Sequence, residues 1–372
     1  MKKKRLLIAS DTFLPRWDGV TRFLLQIVPK LSTKYDITLA VPDFKGRGMR
    51  MNNVDIVKIP CYNYTVDDMH LPKFKPGTIK KLVRDSDIVF IQALGPIGLL
   101  AARYADKLKK PLYAYSHVIE WDLYPKVAGR FRKALRAITL AISRHFYNKC
   151  DFIFVPSEQI EKLLIYNRIT PQKKVIPLGV DTKEFKPLKS KGSAKKRIRL
   201  RPTDIVIGFV GRIGWEKDLP TLDKAFSALQ RKYRGVLRLL VVGSGLPLKR
   251  LFRSLENVIH IKATSKVAKY MQAMDIFVMP SLSETSSLAT MEAMSCGLPV
   301  VATSVGCIPY YIDNGRNGFL FPPQDPAVLA NKISILIDRP SLRNSMGNAA
   351  RKTISKKYSW DRTIKELSDM LG

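Results

Sequence analysis

Short apolar runs recur along the chain at intervals that a helix can fill. "RLLIAS" (5–10), "DITLAVP" (36–42), "VDIVKIP" (54–60), "DIVFIQA" (87–93), "PLYAYSH" (111–117), "DFIFVPS" (151–157) and "KKVIPLG" (173–179) are near-continuous apolar stretches of strand length. Runs of this kind suit strands buried on both faces of a sheet. Helical stretches such as "VTRFLLQIVPKLST" lie between several of them. Strand–helix alternation predicts a parallel, doubly wound α/β sheet.

The alternation breaks near residue 186. "KPLKSKGSAKKRIRLRP" is basic, punctuated by Pro, Gly and Ser, and poor in large apolar residues, which is the composition of a linker or exposed loop. Beyond it the alternation restarts with "DIVIGFVGR" (204–212), "LRLLVVGSG" (237–245), "NVIHIKA" (257–263), "DIFVMPS" (275–281) and "LPVVATS" (298–304). The length of 372 residues also favours two cores over one. The expected organisation is an N-terminal Rossmann-like unit over 1–186, completed by a C-terminal helix over 357–372, and a second Rossmann-like unit over 187–356. Ligands of open α/β sheets bind beyond the C-terminal strand ends, so a cleft between two such sheets is the expected site.

Charge changes this picture. The chain holds 64 Lys+Arg against 31 Asp+Glu, a net +33. Residues 202–372 carry 23 Lys+Arg and 14 Asp+Glu, so the first 201 residues carry 41 and 17, a net +24. Such an excess implies an anionic partner: nucleic acid, an anionic membrane or a phosphorylated substrate. A solvated basic face with no partner is the other reading. Segment 126–149 has no acid; Phe131, Leu135, Ile138, Ile142 and Phe146 repeat at helical spacing, with Arg130, Lys133, Arg136 and Arg144 around them. It reads either as an interfacial amphipathic helix or as a core-facing helix with a basic outer side.

The four cysteines show no paired spacing of the kind zinc needs and read as reduced, mostly buried thiols of a cytosolic protein. The apolar start ends at Ser10-Asp11, too short for a secretory signal, and no apolar run reaches the roughly 18 residues of a membrane span.

Three strand ends carry glycine. Asp18-Gly19-Val20 opens a helix after the first strand, where backbone amides can approach an anion or simply form a turn. Gly211 ends the first strand of the second half, with Arg212 and Lys217 in the same loop, placed to meet a diphosphate. Gly243 and Gly245 end the next strand.

Two glutamates stand in the otherwise uncharged run "SETSSLATMEAMSCGLPVV" (283–301). Strand 275–281 leads to a loop bearing Glu284, then to a helix with Ser286 or Ser287 as N-cap, Glu292 inside it and Gly297-Leu298-Pro299 stopping it. Leu288, Met291 and Met294 are expected to form one buried stripe. Carboxylates accept from the hydroxyls of sugars, and a glutamate favoured by the helix dipole is the structural alternative.

The pair Glu284…Glu292, followed by "AMSCGLPVVATSVG" and "NGRNGFLFPPQD", resembles the signature of the GT-B family 4 retaining glycosyltransferases, and the likeness runs over nearly the whole chain. "DTFLPRWDGV" resembles the family's opening glycine turn, "VIPLGVD" its crossing segment, "GRIGWEK" its phosphate loop and "PSLSETSSLATMEAM" its donor-sugar loop. The resemblance implies a nucleotide-sugar donor, UDP- or GDP-linked, held mainly by the second domain, with the acceptor on the first. It implies retention at the anomeric carbon with no metal and no other cofactor. Arg212 and Lys217 would grip the diphosphate, Glu292 the ribose hydroxyls, and Glu284 with Thr285, Ser286, Ser287 and Leu288 the transferred sugar. Gly19, Gly211 and Gly243 would give backbone access to the donor. His117 matches a family histidine that contacts sugar or handles a proton, with a buried structural histidine as the rival.

Three departures stand out. Thr285, Ser286 and Ser287 replace the usual "E-G-F-G" continuation, Gln92 stands where a histidine is common, and Tyr310 where an acid often follows Ile-Pro. The basic first half suggests a lipid-linked or glycan acceptor and a cytoplasmic, peripherally membrane-associated protein. A nucleotide-sugar epimerase and a non-catalytic, nucleic-acid-binding scaffold are the alternatives. No run of aromatics interleaved with Lys and Arg supports the latter.

Overall fold

A computed structural model describes residues 3–16, 18–44, 50–66, 69–123, 131–245, 251–252 and 257–371. Arg130 and the start of segment 126–149 lie outside the described residues. The chain forms two units, Met1–Pro177 with Trp360–Gly372, and Leu178–Ser359.

The first unit is built on an eight-stranded sheet: β1 (Lys4–Ala9), β2 (Tyr35–Asp43), β3 (Val54–Val66), β4 (Met69–Pro72), β5 (Ile88–Ile91), β6 (Leu112–Tyr115), β7 (Phe152–Val155) and β8 (Gln172–Val175). Their order is β4-β3-β2-β1-β5-β6-β7-β8. Every pairing is parallel except the β3/β4 hairpin. Strand β1 is buried from Leu6 to Ala9 and β5 throughout, as expected of central strands covered on both faces. The Gly19–Leu31 helix starts at Asp18, whose Oδ1 accepts from the Thr21 amide. It buries Phe23, Leu24, Ile27 and Val28. The Trp360–Met370 helix completes this unit: Asp361 pairs with Lys30, Thr363 Oγ1 donates to the Pro177 carbonyl, and the Trp360 ring lies 6.1 Å from Phe23.

The second unit holds β9 (Ile205–Val210), β10 (Leu237–Val242), β11 (Val258–Ile261), β12 (Ile276–Met279), β13 (Val300–Thr303) and β14 (Gly318–Phe321), in the order β11-β10-β9-β12-β13-β14 and parallel throughout. This is the doubly wound order of a dinucleotide-binding sheet. In each unit the winding reverses once at the centre, between β1 and β5 and between β9 and β12. At such switch points the flanking helices leave opposite faces and open a crevice at the strand C-termini.

The stretch expected as a linker is instead folded. Lys191–Lys196 forms a short helix capped by Ser190, and Ala194 and Lys195 are buried. Lys195 Nζ lies 2.8 Å from Asp275 Oδ2, which also accepts from the Val206 amide, and Lys191 Nζ donates to the Met274 carbonyl. Two lysines of this run, Lys191 and Lys195, staple it onto the sheet of the second unit, while Lys186, Lys189, Lys196, Arg197 and Arg199 stay exposed. No apolar run is needed, because a charge pair and carbonyl acceptors do the anchoring.

Candidate functional site

Of the residues singled out in the sequence, Arg212, Lys217 and Glu284 lie at the switch point of the second unit and His117 at that of the first. In the second unit β9 leads through Gly211 and Arg212 into a 3-10 turn at Trp215–Lys217, and β12 leads into the Glu284 loop. Lys217 Nζ donates to Glu284 Oε1 at 2.5 Å, and Ser281 Oγ donates to the same oxygen at 2.8 Å. Both side chains of the pair are nearly enclosed, Lys217 at 16% and Glu284 at 8% exposure. The Lys217 ammonium makes no other hydrogen bond among the described residues, so two of its three N–H groups stay available to a ligand. Arg212 Nη2 pairs with Glu216 Oε1 at 2.7 Å and is 40% exposed. Leu282 donates its amide to the Glu216 carbonyl, which ties the turn to the Glu284 loop. Two cations and two carboxylates thus lie beside each other at the end of the central strands, though they are distant in sequence.

The glycines act differently from expectation. A side chain at Gly243 would come within 1.9 Å of the Gly211 carbonyl, so this glycine lets the β9 and β10 exits touch. Gly211 donates its amide to the Val242 carbonyl across the same approach. Gly306, absent from the sequence expectations, has φ +56, and a β-carbon there would collide with the Glu284 carbonyl at 1.8 Å. It sets the height of the Glu284 loop, and only its place in "ATSVG" signalled it. Gly19 faces open space.

The helix after the loop spans Leu288–Ser295 and departs from expectation twice. It has no single buried stripe: Leu288, Thr290, Met291, Glu292, Ala293, Met294 and Ser295 are all buried. A helix enclosed on every side carries no amphipathic signature. Glu292, at 2% exposure, is a carboxylate set inside the unit. Second, neither serine caps by its side chain. Ser287 sits at the N-cap with φ 46 and ψ 63, and its hydroxyl meets Thr290 Oγ1 at 2.8 Å. Ser286 presents its carbonyl to the Tyr311 hydroxyl at 3.1 Å. Left-handed backbone at Ser287 is a conformation glycine adopts without strain, so serine fills a glycine-shaped position. Thr285 accepts the Cys307 amide on its carbonyl. Tyr310 is half exposed on the Ile308–Tyr311 turn.

In the first unit the switch point gathers Asp11, Gln92, His117 and Glu120. Asp11, just past β1, accepts the amides of Gly95, Ile97 and Gly98 at 3.0, 2.8 and 3.0 Å, holding the start of the Pro96–Lys107 helix. Burial nevertheless pushes its carboxyl up to about 6. His117 follows β6; its ring stacks on Tyr115 at 4.2 Å and meets Phe23 edge-on at 4.6 Å. Its Nε2 lies 3.0 Å from Gln92 Oε1. Burial pushes the imidazole down to about 3, so the ring is neutral at physiological pH. Glu120 accepts from the Tyr147 hydroxyl at 2.8 Å, and burial pushes its carboxyl up to about 7. Asp11, Glu120 and the Gln92–His117 bond were missed from sequence; the first two offered only the signal of an acid beside a strand end.

The Arg132–Tyr147 helix buries only Ser143 and Tyr147. Phe131, Ile138 and Ile142 stand out at 64%, 55% and 41% exposure, whereas Leu135 and Phe146 are half-buried, so the apolar positions are covered only in part. Among the described residues no three His, Cys, Asp or Glu side chains converge as metal ligands, and no helix is long and apolar enough to cross a membrane.

Two family models match back to back: Glycosyltransferase Family 4 over residues 17–184 and Glycosyl transferases group 1 over residues 190–353. Sulfoquinovosyl transferase SQD2 of Arabidopsis thaliana is 36% identical over 316 residues, covering 81% of this chain and 59% of the plant protein. The GDP-mannose-dependent alpha-(1-6)-phosphatidylinositol monomannoside mannosyltransferase of Mycobacterium tuberculosis is 25% identical over 404 residues, covering 99% of this chain and 98% of that one. In fold, the chain matches Anabaena HepE, solved in complex with UDP-glucose, with a TM-score of 0.79 at 17% identity over 99% of each chain. The two reversing sheets and the paired family models together make this chain a member of the family 4, group 1 glycosyltransferases of the GT-B fold.

Proposed function

We propose that the protein is a retaining, metal-independent hexosyltransferase that moves a sugar from a UDP- or GDP-linked donor to a lipid-linked or glycan acceptor at the cytoplasmic face of a membrane. The observation that carries this reading is the side-by-side placement of Arg212, Lys217 and Glu284 at the β9/β12 switch point. Nucleotide-sugar donors need cations for the diphosphate and carboxylate acceptors for hydroxyls, and both meet there. Arg212 and the open N–H groups of Lys217 take the diphosphate, while Glu292, inside the following helix, takes the ribose. Glu284, Thr285, Ser286, Ser287 and Leu288 face the transferred sugar, and Gly211 and Gly243, by letting the β9 and β10 exits touch, shape the backbone beside Arg212. The first unit, with His117, takes the acceptor side of the reaction.

In this mechanism the bond from the anomeric carbon to the phosphate oxygen breaks as the bond to the acceptor oxygen forms on the same face. The acceptor proton passes to the departing diphosphate. Charge grows on the diphosphate, and two fixed cations meet it without reorganisation. The exposed apolar residues and basic flanks of the Arg132–Tyr147 helix suit shallow docking on an anionic bilayer. The acceptor of the mycobacterial relative, a phosphatidylinositol monomannoside, supports a lipid-linked acceptor here.

A panel of UDP-, GDP- and ADP-sugars, scored by calorimetric binding and by release of free nucleotide with and without EDTA, tests the reading. One donor is expected to bind and turn over, unaffected by EDTA, with retained anomeric configuration in the product. Return of an epimerised nucleotide sugar, or binding of none, would overturn it.

A further inference from the structure

Gln92 stands at the exit of β5, its amide donating to the Ala9 carbonyl at 2.9 Å, so it is fixed to the neighbouring central strand. Its side chain is fully buried. Among the described residues the side chain makes one hydrogen bond, to His117 Nε2 at 3.0 Å, and Gln92 Nε2 is buried with no partner. His117 Nδ1 makes no hydrogen bond among the described residues, and the ring is clamped by Tyr115 on its face and Phe23 on its edge. The imidazole therefore cannot turn to find another partner. A buried amide with unbonded N–H groups is unfavourable. An apolar residue would fill the same space more cheaply, unless the carbonyl end is needed.

We propose that Gln92 is a positioning residue for His117: its carbonyl oxygen accepts the Nε2 proton, fixes one neutral tautomer, and leaves the Nδ1 lone pair as the ring's acceptor. The opposite amide orientation leaves as many N–H groups unbonded. It also strands a carbonyl oxygen with two lone pairs in place of a single ring lone pair, so it is the poorer arrangement. The consequence is chemical. A neutral ring with an open Nδ1 accepts a hydrogen bond from a hydroxyl, and gives no charge to a phosphate. His117 in this state selects a hydroxyl-bearing group, which extends the role given to His117 above and rests on it.

The test needs no substrate. Nitrogen-15 histidine labelling and long-range nitrogen–proton correlation spectra report the tautomer of each of the four histidines, with His117 assigned through His117→Gln. The native protein is expected to show Nε2 protonated and Nδ1 bare. Gln92→Met, matched in volume, is expected to mix the tautomers. Gln92→Glu, which places a carboxylate on Nε2, is expected to show both ring nitrogens protonated at neutral pH. Circular dichroism confirms the fold of each variant. Nδ1 protonated in the native protein, or an unchanged His117 spectrum in both folded variants, would overturn the proposal. Nucleotide release from UDP-glucose and GDP-mannose by His117→Ala separately tests the role of the histidine. Native turnover there with the expected spectra would sink that role and leave the Gln92 bond standing.

Discussion

The Lys217–Glu284 pair is the point where stability and donor binding meet, and it sets a measurable coupling. Lys217→Met keeps the length and packing of the stem but removes the ammonium. Glu284, 8% exposed, would keep only the Ser281 hydroxyl. Breaking a fully buried pair costs about 3–5 kcal/mol. Lys217 is 16% exposed and Ser281 remains, so the expected cost is about 2–3 kcal/mol. Glu284→Gln keeps an acceptor for both donors and leaves a cation near water, so about 1 kcal/mol is expected. The double variant removes both charges together, and its cost should fall short of the sum by about 1.5 kcal/mol. One global melting curve would blur this, because two units need not unfold together. Trp215 is the one tryptophan among residues 178–359, so its fluorine signal in 5-fluorotryptophan-labelled protein follows the second unit during urea titration. Turnover should fall at least tenfold in Lys217→Met, equivalent to about 1.4 kcal/mol of transition-state stabilisation. Additive stability losses, or near-native turnover in Lys217→Met, would refute the assignment of this lysine to a charged pair that also grips the donor.

Arg212→Ala should lower turnover tenfold or more and cost about 1 kcal/mol in urea titrations, because its 40% exposed guanidinium leaves behind Glu216, only 13% exposed. Glu292→Gln should weaken free-nucleotide binding in calorimetry, whereas Glu284→Gln should lower turnover more than nucleotide affinity; equal effects on nucleotide affinity would overturn this division. Glu120 has a folded-state value of about 7 against an ordinary 4.5, so the fold holds its proton while the unfolded chain releases it. Stability should therefore be fully present below about pH 4.5 and fall as pH rises through about 7; Glu120→Gln should remove this loss, worth about 3 kcal/mol at pH 8 in urea titrations of the first unit. Replacing Arg132, Lys133 and Arg136 with Ser should release the protein from anionic vesicles at near-physiological salt, at about 1 kcal/mol per charge, with less from Arg136 because it already pairs with Asp122. Failure of the native protein to co-sediment with such vesicles would return the acceptor to soluble glycans.

The central strands were legible in the sequence because a strand covered on both faces must be apolar throughout, and "LLIA", "IVFI" and "IFVM" have no other use. Strand β14, "GFLF", was missed because four residues, the first a glycine, give too short a run to separate from a loop. What no local pattern could reveal was pairing across distance. Lys195 reads as a solvated linker residue until Asp275, far along the chain, is brought beside it. Ser287 reads as a helix cap until its φ of 46 shows it holding a glycine's place. His117 reads as a lone ring until Gln92 supplies its partner.

These failures share a cause that also explains the success. Local composition specifies which segments become strands, but the order of strands in a sheet is a property of the whole chain. Arg212, Lys217 and Glu284 in one sheet, and Gln92 and His117 in the other, lie where that order reverses. β9 and β12 are separated by two other strands in sequence yet adjacent in space, so Arg212 and Lys217 on one exit meet Glu284 on the other. β1, β5 and β6 do the same for Asp11, Gln92 and His117. A site built at a reversal draws its members from distant segments, so each member looks unremarkable alone. Motif spacing can only pair residues that share one loop or helix, such as Arg212 with Lys217 and Glu284 with Glu292. It is blind to the residues that hold them, such as Gly306 beneath the Glu284 loop and Gln92 behind His117, because those contacts exist only after the sheet has formed.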